Sequence, residues 1–367
     1  MQDFVNRKAR PEIFALKEYI PGKPIDEVKR ELGIDNIIKM ASNENPLGPS
    51  PRAVQEIEKT LNQLHIYPDS NCFNLKQKLA SRLDVPFETL LIGNGSDELF
   101  RLLAETFLTT GDEIIIGTPT FSAYQFTATV MGTKTVAIPL HDFKYDLHAM
   151  LQAITPKTKM LFICNPNNPT GTIVSGAELD EMMQKVPEDV LVIFDEAYSE
   201  YVQDKDYTSG LKYVEQGRNA IVLKTFSKIY GLAALRVGYA ITSQEIATAV
   251  KRVSEPFNVN MLAQIAAVAA LDDDAHIENS LAANAKGKAY LYETLTQMGL
   301  PFVPTQANFI LFDTKKDGRE VFQALLKQGV IVRNCESFGY PTFLRVTVGT
   351  MEQNNRFVTS LRQVLHQ

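Results

Sequence analysis

Residues 222–240 read VLKTFSKIYGLAALRVGYA. The apolar run AIVL (220–223) leads into Lys224, Thr225, Ser227 and Lys228, and Arg236 follows among apolar neighbours. Cations seldom enter such surroundings without partners. Other apolar runs also end on polar groups. LLIG (90–93) precedes Asn94-Gly95-Ser96-Asp97-Glu98, where Ser96 or Asp97 can cap a helix whose free N–H groups could hold a phosphate. MLFIC (160–164) runs into NPNNPTG, a rigid turn that offers the amide of Asn168. VLVIFD (190–195) ends on Asp195, with Glu196, Ala197 and Tyr198 behind it. The chemistry available is an amine nucleophile that can also carry a proton, a carboxylate, two hydroxyls beside a guanidinium, and a phosphate-binding helix start. Singly, each has a plainer reading. NGSDE could be a cap alone, NPNNPTG a turn, Asp195 a loop cap, and Lys228 and Arg236 snorkelling cations. Lys224, opposite Thr225 on a strand, is expected to snorkel.

Together they are harder to dismiss, and one cofactor asks for the set. Pyridoxal 5′-phosphate needs a lysine amine, an anion opposite its ring nitrogen, hydrogen bonds to its phenolic oxygen and a cationic cradle for its phosphate. No Ser-His-Asp, Walker A or zinc spacing competes, and GxGxxG is missing after the first strand of the sheet.

These groups need elements to place them. The runs LLIG, EIIIG (113–117), TVAIPL (135–140), MLFIC, VLVIFD, AIVLKT (220–225) and VGYAIT (237–242) alternate with amphipathic segments of helix length. That order predicts βαβ units and a mostly parallel central sheet covered by helices, with ligands beyond the carboxyl ends of the strands. From about residue 281 a long amphipathic helix leads to NFILFD, REVFQALLKQG, VIVRN and FLRVTVG, which reads as a smaller α+β domain. The expected division is an N-terminal arm and part of the small domain over 1–47, a large cofactor-binding domain over 48–280, and a small C-terminal domain over 281–367. Residues 1–47, with PGKP and NPLGPSP, are too few to fold alone and are expected to wrap onto the small domain or a second subunit.

The whole chain sets outer bounds. It has 367 residues, 45% hydrophobic and 22% charged, which suits a globular protein of about two domains. A net charge of −6 argues against a nucleic-acid footprint. No signal peptide and no span of bilayer length is read. Cys72, Cys164 and Cys335 form no motif and fit a reducing cytoplasm.

At this point the sequence resembles a known family, the fold-type I pyridoxal-phosphate aminotransferases, and within it the histidinol-phosphate branch. The matching stretches include MASNENPLGPSP (40–51), YPD (67–69), GNGSDEL (93–99), PTFSAY (119–124), NPNNPTG (165–171), DEAYSEY (195–201), TFSKIYGLAALRVGY (225–239), EPFNVN (255–260), QANF (306–309) and FLRVTVGT (343–350). They run in family order over nearly the whole chain.

The resemblance implies that Lys228 carries the imine, Asp195 pairs with the ring nitrogen, and Asn168 and Tyr198 bond the phenolic oxygen. Tyr124 would stack on the ring, and Ser96, Asp97, Thr225, Ser227 and Arg236 would line the phosphate cradle. Tyr67, which by position alone reads as a buried turn tyrosine, would reach the cofactor phosphate of a neighbouring subunit in a homodimer. Arg345 would bind substrate anions, with Arg333, Tyr19 and Asn43 as further substrate contacts. In FLRVTVG, Arg345 alternates with Leu344 and Val346 and should point away from them. The implied reaction is amino transfer between histidinol phosphate and 2-oxoglutarate. An aromatic or broad-specificity aminotransferase, a phosphothreonine decarboxylase and an aminotransferase-like regulator are the alternatives.

Overall fold

A computed structural model describes residues 2–16 and 23–366 of the chain. The N-terminal segment contributes a short strand, β1 (Ile38–Lys39). The larger sheet then takes β2 (Leu90–Gly93), β3 (Glu113–Thr118), β4 (Lys134–Pro139), β5 (Thr158–Cys164), β6 (Leu191–Asp195), β7 (Ala220–Thr225) and β8 (Gly238–Thr242). Their order across the sheet is β2-β8-β7-β6-β5-β3-β4. Every neighbouring pair is parallel except those of β8, which is antiparallel to both β2 and β7. All five residues of β6 and of β8 are buried. Helices on both faces explain why these runs are continuously apolar rather than alternating. Because β2, β5, β6 and β7 share one direction, the polar groups after them arrive at one edge.

The smaller unit holds β9 (Phe302–Val303), β10 (Phe309–Asp313), β11 (Val330–Ile331), β12 (Arg333–Asn334) and β13 (Phe343–Thr347). An antiparallel sheet runs β12-β13-β10-β9, and β11 pairs in parallel with β1. Leu344 and Val346 enter the core of this unit with Leu291, Phe312 and Phe357. Met40 joins that core, and Val28 and Ala41 pack on Leu326 and Ile331, so this part of the N-terminal segment builds onto the small unit. Arg10 donates to the Val130 carbonyl of the large unit. A single 24-residue helix spans Asp274–Gln297, so the expected boundary at 281 falls inside a continuous element. Its N-cap, Asp273, accepts from the His276 N–H, which is what starts the helix earlier. Tyr19 lies outside the described residues. Among the described residues no helix is long and apolar enough to cross a membrane.

Candidate active site

β6 ends on Asp195, which is only 3% exposed. Its Oδ2 accepts a 2.5 Å hydrogen bond from Tyr124 Oη, and its Oδ1 accepts one from the Ala197 N–H at 3.1 Å. Burial pushes this carboxyl up to about 6, against the pull of those two donors. Lys228 follows β7. Its Nζ donates to the Ser42 carbonyl at 3.2 Å and lies 5.5 Å from the centre of the Tyr198 ring. Burial, reinforced by the charge of Arg345, brings the amine down to about 8. A lysine amine lowered in this way suits proton transfer near neutrality.

Beyond Lys228 the backbone forms an anion cradle. The helix Ser96–Phe107 starts at Gly95, whose φ of 81° favours glycine, and no side chain caps it. The expected cap by Ser96 or Asp97 is therefore absent, and that helix start stays open to a ligand. A Cβ on Gly95 would stand 2.7 Å from Arg236 Nη2, and one on Gly238 would stand 2.8 Å from Ser96 N. Arg236 donates to Ser227 Oγ at 3.4 Å and to the Ala233 carbonyl at 3.1 Å, and the Ser227 N–H donates to Thr225 Oγ1 at 3.0 Å. The Asp97 carboxylate pairs with Arg236 Nη2 at 3.2 Å and holds the guanidinium beside that helix start.

The small unit closes the other side. Arg345 on β13 is 5% exposed, on the face opposite Leu344 and Val346 as alternation predicts. It donates to Asn168 Oδ1 and, at 2.7 Å, to the Ala41 carbonyl, and its guanidinium lies 5.1 Å from the centre of the Phe309 ring. Arg333 stands directly across from it in the β12–β13 register. Asn43, at φ 57°, donates through Nδ2 to Tyr198 Oη at 2.9 Å. The Asn43 N–H in turn donates to Thr347 Oγ1 at 2.9 Å. Asn45 donates to the Ile229 carbonyl at 2.7 Å, beside Lys228.

Three further expectations are corrected. Tyr124 is fully buried, its ring stacked on Phe162 at 4.7 Å, so it supports Asp195 from within the core rather than offering an open face. Lys224 does not snorkel. The turn after β6 folds under it, and its Nζ lies 3.4 Å from Glu196 and 3.7 Å from Glu200. Burial alone would lower this amine, but the two carboxylates outweigh it and hold it above its ordinary value. Tyr67 is not a buried turn residue, being 78% exposed with its ring stacked on Phe257. Thr347 and Glu98 escaped the sequence reading. Thr347 shares a strand face with Arg345 two residues earlier, a period-2 signal, and Glu98 stands four residues after Asn94, whose N–H it accepts at 2.6 Å.

The donor set fits pyridoxal phosphate. A buried carboxylate, a lowered lysine amine and an uncapped helix start beside Arg236 answer to a cationic ring nitrogen, an aldehyde and a phosphate. The chain belongs to the class I and II aminotransferases, whose family model matches residues 35–361. It is 55% identical to the histidinol-phosphate aminotransferase of Moorella thermoacetica, over 98% of this chain and 93% of that one. It is 46% identical to the enzyme of the same name from Caldicellulosiruptor saccharolyticus, over 97% and 99% of the two chains. The structure of the Sinorhizobium meliloti histidinol-phosphate aminotransferase in complex with pyridoxal 5′-phosphate superposes with a TM-score of 0.91 at 24% identity, over 98% of each chain. That likeness bears out the fold-type I arrangement of a large sheet domain with a smaller α+β domain.

Proposed function

We propose that the chain transfers the amino group of histidinol phosphate to 2-oxoglutarate with pyridoxal phosphate as cofactor, in the synthesis of histidine. The names of the relatives at 42–55% identity support this reading. The observation that carries it is the buried Arg345, held against Asn168 with Arg333 across the strand pair. A transaminase of this kind must accept a carboxylate and a phosphate in turn, and a planar guanidinium can take either in bidentate fashion.

Bound pyridoxal phosphate supplies a ring that withdraws the electrons left when a substrate Cα–H bond breaks. Arg236, Ser227, Thr225 and the N–H groups from Ser96 would hold the phosphate, and Asp97 keeps Arg236 in place. Asp195 would face the ring nitrogen, where a neighbouring positive charge favours its ionised form. Asn168 and Tyr198 would donate to the phenolic oxygen. Lys228 Nζ, poised near 8, takes the proton from substrate Cα and delivers it again within the same pocket. The segment Ser42–Asn45 excludes water from the lysine side.

The active form in this proposal is a cytoplasmic homodimer in which Tyr67 completes the neighbouring site. Leu61, Leu64, Ile66 and Phe73 are each about half exposed around it, an apolar patch suited to a second copy. Comparing turnover of histidinol phosphate with turnover of phenylalanine tests the substrate. Preference for histidinol phosphate supports the proposal, and outright preference for phenylalanine replaces it with an aromatic aminotransferase.

A further inference from the structure

Tyr67 lies far out on the surface, yet its ring is not free. It stacks on Phe257 with centroids 4.7 Å apart and planes 22° apart. Phe257 has a φ of 60°, a conformation that a bulky L-residue adopts only when its surroundings enforce it. Two clamps enforce it. The Asn258 Nδ2 donates to Glu98 Oε2 at 2.6 Å, and the same oxygen accepts the Asn94 N–H at 2.6 Å, so the turn is tied to the start of the phosphate-cradle helix. The Gln264 Nε2 donates to the carbonyls of Asp69 and Val259, both at 2.9 Å, and so joins the Tyr67 loop to the Phe257 turn.

We infer that Phe257 is a positioning residue that presents Tyr67 to the active site of the other subunit, with Gln264 fixing the distance between the two loops. This rests on the proposal that Tyr67 acts across the dimer. The ring of Phe257 limits Tyr67 to a narrow range of directions, so the hydroxyl is placed before a second copy docks. Glu98 binds the same turn to the chain's own cradle. Each chain thus carries one rigid body that serves its own site through Ser96 and the neighbour's through Tyr67.

The two directions can be separated in mixed dimers isolated through different affinity tags. The first dimer pairs a Phe257→Ala chain with a Lys228→Ala chain. Its one Lys228-bearing site receives Tyr67 from the intact turn. The second pairs a Phe257→Ala, Lys228→Ala chain with a wild-type chain, so its one Lys228-bearing site receives Tyr67 from the damaged turn. Borohydride fixation as pyridoxal phosphate is titrated reads only the Lys228-bearing site. The first dimer should bind like wild type and the second roughly three- to tenfold more weakly, the worth of one aromatic pair. Phe257→Tyr should restore the second. Gln264→Ala, used in place of Phe257→Ala, should give the same asymmetry and serves if the alanine variant does not dimerise. The reverse asymmetry would mean that Phe257 supports only its own chain's cradle, and equal affinities would mean that it positions nothing. The same pair of dimers built with Tyr67→Ala tests the underlying proposal. Asymmetry there without asymmetry for Phe257 overturns this inference alone, and its absence overturns the shared site itself.

Discussion

Replacing Asp195 with asparagine should stabilise the cofactor-free protein while crippling the enzyme. The carboxyl is 3% exposed, and burial raises it from 3.8 to about 6. The folded chain therefore binds this proton more tightly than the unfolded one. The group favours the fold fully below about pH 4, and that contribution is lost as pH rises through about 6. The shift corresponds to about 3 kcal/mol of native-state cost at pH 8, present only because the carboxylate is charged and enclosed. Asparagine removes the charge but has one acceptor where Asp195 has two. Its oxygen can keep the Ala197 N–H, and its NH₂ must then face Tyr124 Oη, whose hydrogen loses its present acceptor. That rearrangement costs about 1 kcal/mol, leaving a net gain of roughly 2 kcal/mol. Urea unfolding of both cofactor-free proteins, at one protein concentration from pH 4 to 8, measures it. The advantage of Asp195→Asn should be absent or negative near pH 4 and grow to its full size by pH 8. Turnover should meanwhile fall by roughly 100-fold or more, as for other electrostatic deletions in active sites. A difference that does not change with pH, or a variant less stable than wild type at pH 8, would refute the claim that the acid is held at the expense of the fold.

Lys228→Ala should abolish transamination and borohydride fixation, while dialysable cofactor still binds through the Arg236 cradle; a labelled peptide lacking Lys228 in the wild type would contradict this. Arg345→Lys should lower kcat/KM for glutamate and histidinol phosphate together by roughly 10- to 100-fold, because a lysine cannot copy the paired bonds of the guanidinium. Arg333→Ala should impair histidinol phosphate more than phenylalanine, and equal losses would make its role structural. Lys224→Met should leave Glu196 and Glu200 without their cation and cost about 3–5 kcal/mol in denaturant unfolding; an unchanged midpoint would show that the carboxylates do not need it.

The large sheet was legible because each buried strand is a short apolar run closed by polar residues, and β6 and β7 end where the runs end. Asp195 and Lys228 could be read for the same reason. Arg345 was legible on its strand by alternation alone. What sequence spacing could not reveal was who meets whom. The Ala41 carbonyl that accepts from Arg345 comes 304 residues earlier in the chain. Lys224 looked like a surface cation because nothing nearby in sequence says that Glu196 and Glu200 turn back beneath it. The resemblance made Tyr124 a ring-stacking group, and its sequence neighbours do not reveal that a helix packs its ring on Phe162 of β5. Helix starts were misplaced at Gly95, where a positive φ and no side-chain cap opens the helix, and at Asp273, whose side chain caps it.

The segment Ala41–Asn45 has a consequence for how the molecule comes into being. Arg345 and Thr347, which grip it, are made later, each 304 residues beyond its partner in the segment. Domains form as units during synthesis, N-terminal parts first. All strands of the large sheet, with Asp195 and Lys228, precede β13 in the chain and so can be made before it. A nascent chain thus owns reactive groups before it owns the means to choose a substrate. Residues 41–45 lack these partners until β13 has been made, so the order of translation itself delays selective catalysis until that strand arrives.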